Sequence, residues 1–134
     1  MKLRLLLPAV ALLISAAAEG APADPPDVQA RSSEAFTECT RDSMATADTV
    51  FCIASEAKHQ EPKLEQAYVG ALKRAAAKRR PAIRNAQVAW RKKAQVDCDA
   101  AAAGEQYERI AQATRGQCML DATIRRTIEL ERKR

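Results

Sequence analysis

The sequence predicts an all-α fold, a small helical bundle or hairpin of about four helices stapled by two disulfides. Three observations lead there. The 134 residues include 29 Ala but only 4 Gly, a composition that favours helices over a β-sandwich. Apolar residues recur at three- and four-residue spacing, and no strand-like alternation interrupts them. Four cysteines stand at positions 39, 52, 98 and 118, all downstream of an export-like leader. A chain of this length suits one domain, and its 4% aromatic content leaves few large side chains for a core.

Residues 1–18 read as a signal peptide. Lys2 and Arg4 form a basic start, Leu5 to Ile14 an apolar stretch, and Ala16-Ala17-Ala18 an A-x-A cleavage site, with cleavage after Ala23 as the alternative. The apolar run is short for a membrane span. No Cys stands near the cleavage region, so a soluble periplasmic or secreted product is expected, not a lipoprotein, with no stable membrane anchor after cleavage. Loss of Lys2 and Arg4 lowers the net charge from +5 to +3, a mild excess that does not demand a nucleic-acid partner. Residues 19–31 carry Gly20, Pro22, Pro25 and Pro26 and are expected to be a flexible leader, so that residues 32–134 form the folded domain.

The folded part divides into short helical segments. A first helix is expected over about Ser33 to Arg41, followed by a turn at Asp42-Ser43. Thr46 reads as the next N-cap, with Asp48 in the first turn and Val50, Ile53, Ala54 and Ala57 at core spacing. Pro62 either starts or kinks the segment that follows. That segment carries one apolar stripe: Leu64, Ala67, Tyr68, Ala71, Leu72 and Ala75. It ends in Lys73, Arg74, Lys78, Arg79 and Arg80. Such a cluster invites nucleic acid or a membrane surface, but a solvated helix C-terminus is the commoner meaning. Pro81 begins a further helix with Ile83, Ala86, Trp90, Ala94 and Cys98 on one face. A loop at residues 101–104 leads to the last helical region, with Ile110, an expected break at Gly116, then Leu120, Thr123, Ile124, Thr127 and Leu130.

In an oxidising compartment four cysteines favour two disulfides, and three pairings are possible. The local pairing, Cys39–Cys52 and Cys98–Cys118, is expected because each pair brackets a turn. A zinc site is disfavoured: there is no CxxC spacing, and His59 is the sole histidine, on the charged stretch Lys58-His59-Gln60-Glu61. No cofactor and no metal are expected. Catalytic signatures such as HExxH, GxSxG or a phosphate loop are missing, and Asp97/Asp99 and Glu105/Glu108 are carboxylate pairs without a sign of a cleft, so an enzyme is not expected.

The stretch Ala86-Gln87-Val88-Ala89-Trp90, followed by Cys98, resembles the AQxAW…C signature of the LprI-type lysozyme inhibitor domain. Cys118, Thr123, Arg126, Glu129 and Leu130 resemble that family's closing C…T..R..EL pattern, and Cys39, Cys52, Leu64 and Tyr68 fit its order. Lys93, Ala94 and Gln95 depart from the family's usual residues after the Trp. Tyr68, Gln87, Trp90, Thr123, Arg126 and Leu130 read as packing residues, with the Trp90 indole N–H needing a partner if buried. The resemblance implies an exported protein that binds a lysozyme or related peptidoglycan hydrolase and occludes its active-site cleft. An inhibitor of this kind needs a rigid loop with cationic or hydroxyl groups to meet the cleft carboxylates. The two disulfide-bracketed loops supply candidates: Arg41 and Ser43, beside Asp42, in the first, and Tyr107 and Arg109, after Glu105 and Gln106, in the second; the first is preferred, because Arg41 and Ser43 match that chemistry. The alternatives are a periplasmic interaction or chaperone-like module, or an immunity protein against a wall-degrading effector.

Overall fold

A computed structural model describes residues 25–132. The signal-peptide segment lies outside the described residues. Five α-helices and one 3₁₀ turn follow in order, with no strand among the described residues: α1 (Pro25–Gln29), α2 (Glu34–Asp42), α3 (Thr46–Arg74), the 3₁₀ turn Ala77–Arg79, α4 (Arg80–Ala102) and α5 (Glu108–Arg132). The all-helical class and both disulfides, Cys39–Cys52 and Cys98–Cys118, agree with the sequence reading.

Helix α5 is the centre of the bundle. It packs along α3 on one side and α4 on the other, while α3 and α4 barely meet. The core between α3 and α5 has two sections. Val28, Ile53, Leu120, Ile124 and Ile128 form one, joined by Phe36 and Ala113. Leu64, Ala67, Ala71 and Leu130 form the other, edged by Tyr68 and Trp90. Ala54, expected in the core, is exposed, because the buried stripe of α3 runs through Cys52, Ile53, Glu56, Gln60, Leu64, Ala67 and Ala71.

Three boundaries differ from the sequence reading. Helix α3 runs unbroken through Pro62, so the 29 residues from Thr46 to Arg74 are one element. Pro62 is exposed, on the side of α3 away from the core stripe, and the packing of that stripe on α5 outweighs the lost backbone hydrogen bond. Gly116 does not break α5. A Cβ there would stand 3.0 Å from Ile53 Cγ2, so the glycine lets α3 and α5 approach closely. The N-cap of α3 is Ala45 rather than Thr46, and no side chain caps it. A fourth difference lies upstream. Residues 25–31, expected within a flexible leader, form α1 and its turn; Val28 is 5% exposed in the core, and Arg31–Glu131 (2.8 Å) and Arg132–Asp27 (2.7 Å) tie this segment to α5.

The start of α2 is fixed by a buried polar cluster. Ser33 caps the helix, its Oγ accepting from Phe36 N at 3.1 Å. Ser33 Oγ and N also donate to the Glu56 carboxylate, at 2.5 and 2.9 Å. Gln60 Nε2 donates to Glu56 Oε1 at 2.7 Å and to the Arg31 carbonyl at 2.9 Å. Burial alone pushes the Glu56 carboxyl up; the hydrogen bonds from Ser33 and Gln60, with the nearby His59, outweigh it and hold it below the ordinary value.

Candidate functional site

The direction of two helices decides where the candidate loops lie. Gly116 of α5 meets Ile53 of α3 near the N-terminal ends, and Arg74 Nη2 at the C-terminal end of α3 donates to the Leu130 carbonyl at 2.8 Å. Helices α3 and α5 are therefore parallel. Each begins about 10 to 12 Å beyond the Ile53–Gly116 contact, at 1.5 Å per residue. The α2–α3 loop and the α4–α5 loop consequently emerge from the same end of the bundle, each bracketed by its disulfide, with Cα–Cα distances of 5.7 and 5.5 Å.

Arg41 and Asp42, expected in the first loop, instead end α2; Arg41 is exposed but pairs with Asp42 at 3.0 Å. Ser43 is half-buried, and its hydroxyl donates to the Thr40 carbonyl at 3.0 Å and contacts Thr49 Oγ1 at 3.2 Å. This hydroxyl braces the loop. In the second loop the Tyr107 carbonyl accepts from Ile110 N and Ala111 N at 3.0 and 2.9 Å, starting α5. Its ring is left outside, 67% exposed. Arg109, in the first turn of α5 and not in the loop, is exposed and makes no ion pair among the described residues. Met44 (95%), Phe51 (68%) and Ile110 (38%) add exposed apolar surface at this end.

This end is also acidic. Residues 34–52 and 97–118 carry Glu34, Glu38, Asp42, Asp48, Asp97, Asp99, Glu105 and Glu108 against Arg41, Arg109 and Arg115. Three of the acids are paired, Asp42 with Arg41, Asp97 with Lys93 and Asp99 with Arg115. The Asp97/Asp99 and Glu105/Glu108 carboxylates are all exposed, and they face solvent rather than a cleft.

The motif residues lie away from the loops, in the α4–α5 seam. Arg126 is 5% exposed and donates from Nε to Gln87 Oε1 at 2.9 Å and from Nη1 to Glu129 Oε2 at 2.8 Å. Its guanidinium carbon stands 5.9 Å from the Trp90 ring centroid, within cation–π range. Nη2 has no hydrogen-bond partner among the described residues. Thr123 returns its hydroxyl to the Met119 carbonyl at 2.8 Å, and Leu130 is 1% exposed. Tyr68 edges the Leu130 cluster. Gln87, Trp90, Arg126 and Leu130 thus clamp α4 and α3 to α5. Where α3 and α4 splay apart, Trp90, Leu64, Met119 and Thr123 line an open groove of about 600 Å³ rimmed by Lys58, Glu65 and Arg91.

The family model of lysozyme inhibitor LprI matches residues 37–130. The chain belongs to that family. No curated protein and no solved structure matches it. The span matched to LprI begins inside α2 and ends at Leu130, enclosing both disulfides, both loops and the Gln87–Trp90–Arg126 clamp. Helix α1 and Ser33 stand outside it, so the closing of the core by Val28 and the capping of α2 lie upstream of the LprI match.

Two buried polar residues escaped the sequence reading, Glu56 and Gln60. A signal was present: both continue the stripe that Ile53, Leu64, Ala67 and Ala71 define at helical spacing.

Proposed function

We propose that this chain is an exported lysozyme inhibitor whose disulfide-bracketed end docks on a peptidoglycan hydrolase and occludes its active-site cleft. The observation that carries the reading is the convergence of both stapled loops at one acidic, partly apolar end of an LprI-family bundle. Export is supported by the leader-like residues 1–18 and by two disulfides, which persist in oxidising compartments.

The two loops divide the work. Each disulfide ties a loop to the helices behind it, so little ordering is left to be done on binding. Met44, Tyr107 and Ile110 offer side chains that lose water against a partner. The surrounding acids favour a basic hydrolase and speed its approach, although the chain as a whole is positive. Arg109, without an ion pair among the described residues, is the cation we assign to meet the carboxylates of the cleft; Arg41 pairs with Asp42, and Ser43 holds its own loop.

The test is lysis of a peptidoglycan suspension by a panel of lysozymes, with and without the purified, oxidised protein. Saturable protection against at least one lysozyme is expected. Tyr107→Ala with Arg109→Ala should weaken it by at least tenfold without changing thermal stability. Absence of protection and of binding across the panel would overturn the reading.

A further inference from the structure

From the corner between α3 and α4 along most of α4 the charge reverses. Residues 66–96, from the last turns of α3 through most of α4, hold nine Lys and Arg and no Asp or Glu. Lys73, Lys78, Arg79, Arg80, Arg84, Arg91 and Lys92 are exposed, and none has an ion pair among the described residues. A helix end accounts for Lys73 and Arg74 in the last turn of α3, but not for a 31-residue stretch without one acid to offset it.

The outer side of α4 adds a second feature. Arg84, Val88, Lys92 and Val96 follow at four-residue spacing and form one exposed stripe. Val88 is 60% and Val96 67% exposed, although the core of this chain is short of large apolar groups. Cations alternating with aliphatic side chains on one helix face suit a lipid interface, where the valines enter the headgroup–acyl boundary and the longer Arg and Lys chains reach back to phosphate. A hydrolase attracted by the acidic loop end would be repelled here, and a nucleic acid would have no use for the valines. None of the described helices is long and apolar enough to cross a membrane, so the contact is peripheral.

We propose that the α3–α4 corner and the outer stripe of α4 bind the surface of a bilayer rich in anionic phospholipid. The inference does not depend on the inhibitory activity, and each can fail without the other.

Co-sedimentation of the purified, disulfide-bonded protein with phosphatidylcholine vesicles, with and without phosphatidylglycerol, tests it. Binding should require phosphatidylglycerol and fall as salt rises. Reversing three exposed charges (Arg80→Glu, Arg84→Glu, Lys92→Glu) should reduce partitioning on the order of a hundredfold or more. Reversing Lys58 and Arg115, outside the stretch, should change it far less. Val88→Ser with Val96→Ser should weaken vesicle binding several-fold yet leave binding to soluble polyphosphate unchanged. All these positions are exposed, and matching circular dichroism melts would confirm intact folds. No binding to phosphatidylglycerol vesicles, equal loss from either set of reversals, or indifference to the valine substitutions would overturn the proposal.

Discussion

The two ends of this bundle are built by different means. The loop end is acidic, and each of its loops is closed by a covalent bond between helices. The opposite end is basic: residues 66–96 carry no acid, and Glu129 and Glu131 of α5 are paired with Arg126 and Arg31. It is held by noncovalent contacts: Leu130 against Leu64, Ala67 and Ala71, Arg74 on the Leu130 carbonyl, and Arg126 on Gln87. The lesson is that a formal charge of +5 conceals two poles of opposite sign. A net charge near that of many proteins says little about the field that a partner meets at either end.

The largest effect expected from breaking this contrast comes from the disulfides. Cys98→Ser with Cys118→Ser should cost about 3 kcal/mol on the chain-entropy estimate, read from denaturant midpoints. Hydrogen exchange should rise first at residues 103–108, between α4 and α5, while the Leu130 cluster stays protected. Uniform exchange across both ends would show that they fold as one cooperative unit.

Gln87→Leu probes the other end. It leaves the buried Arg126 Nε without its acceptor and should cost about 2 kcal/mol in thermal unfolding. The proposed inhibition by the loops should persist, because Gln87 lies far along α4 from Cys98. A loss of inhibition with an unchanged melting temperature would place the clamp in the binding surface instead.

The effect of Glu56 is smaller and depends on pH. Its carboxyl is held below the ordinary value of 4.5, so its contribution is present at neutral pH and is lost as pH falls below 4.5 through the lower folded value. Glu56→Gln should destabilise the protein by about 1 kcal/mol near neutrality, and the difference from the parent should shrink on acidification. A constant difference across pH would mean that the lost packing geometry, not the charge, matters.

The smallest effect concerns association. Neutralising Glu105 and Glu108 should slow binding to a basic lysozyme a few-fold at low salt and leave dissociation unchanged in surface kinetics. Equal rates would remove the acidic pole from the recognition step.

Much of this architecture is legible in the residues. Low glycine, abundant alanine and three- to four-residue apolar spacing determine the helical class, because those patterns are local. Cysteines that bracket turns pair with their nearest partners for the same reason, since the loop that must close is short. The AQxAW and closing motifs give the family, since they specify the seam that Gln87, Trp90 and Arg126 build. Local signals misled where packing overrode them. Pro62 and Gly116 look like breaks, yet α3 and α5 pass through both, because burial along the shared seam outweighs a missing hydrogen bond or a poor helix former. Glu56 looks like a surface acid until the start of α2 is brought against it. Val28 stands in a proline-rich segment and is drawn into the core by Ile53 and Ile124.

The relation between the two loops belongs to tertiary structure alone. The sequence determined that each loop is short and covalently closed. Whether they lie at one end or at opposite ends depends on the relative direction of α3 and α5, which are separated in the chain by α4. That direction is set by Ile53 meeting Gly116 and Arg74 meeting Leu130, contacts between residues more than fifty positions apart that no local periodicity encodes.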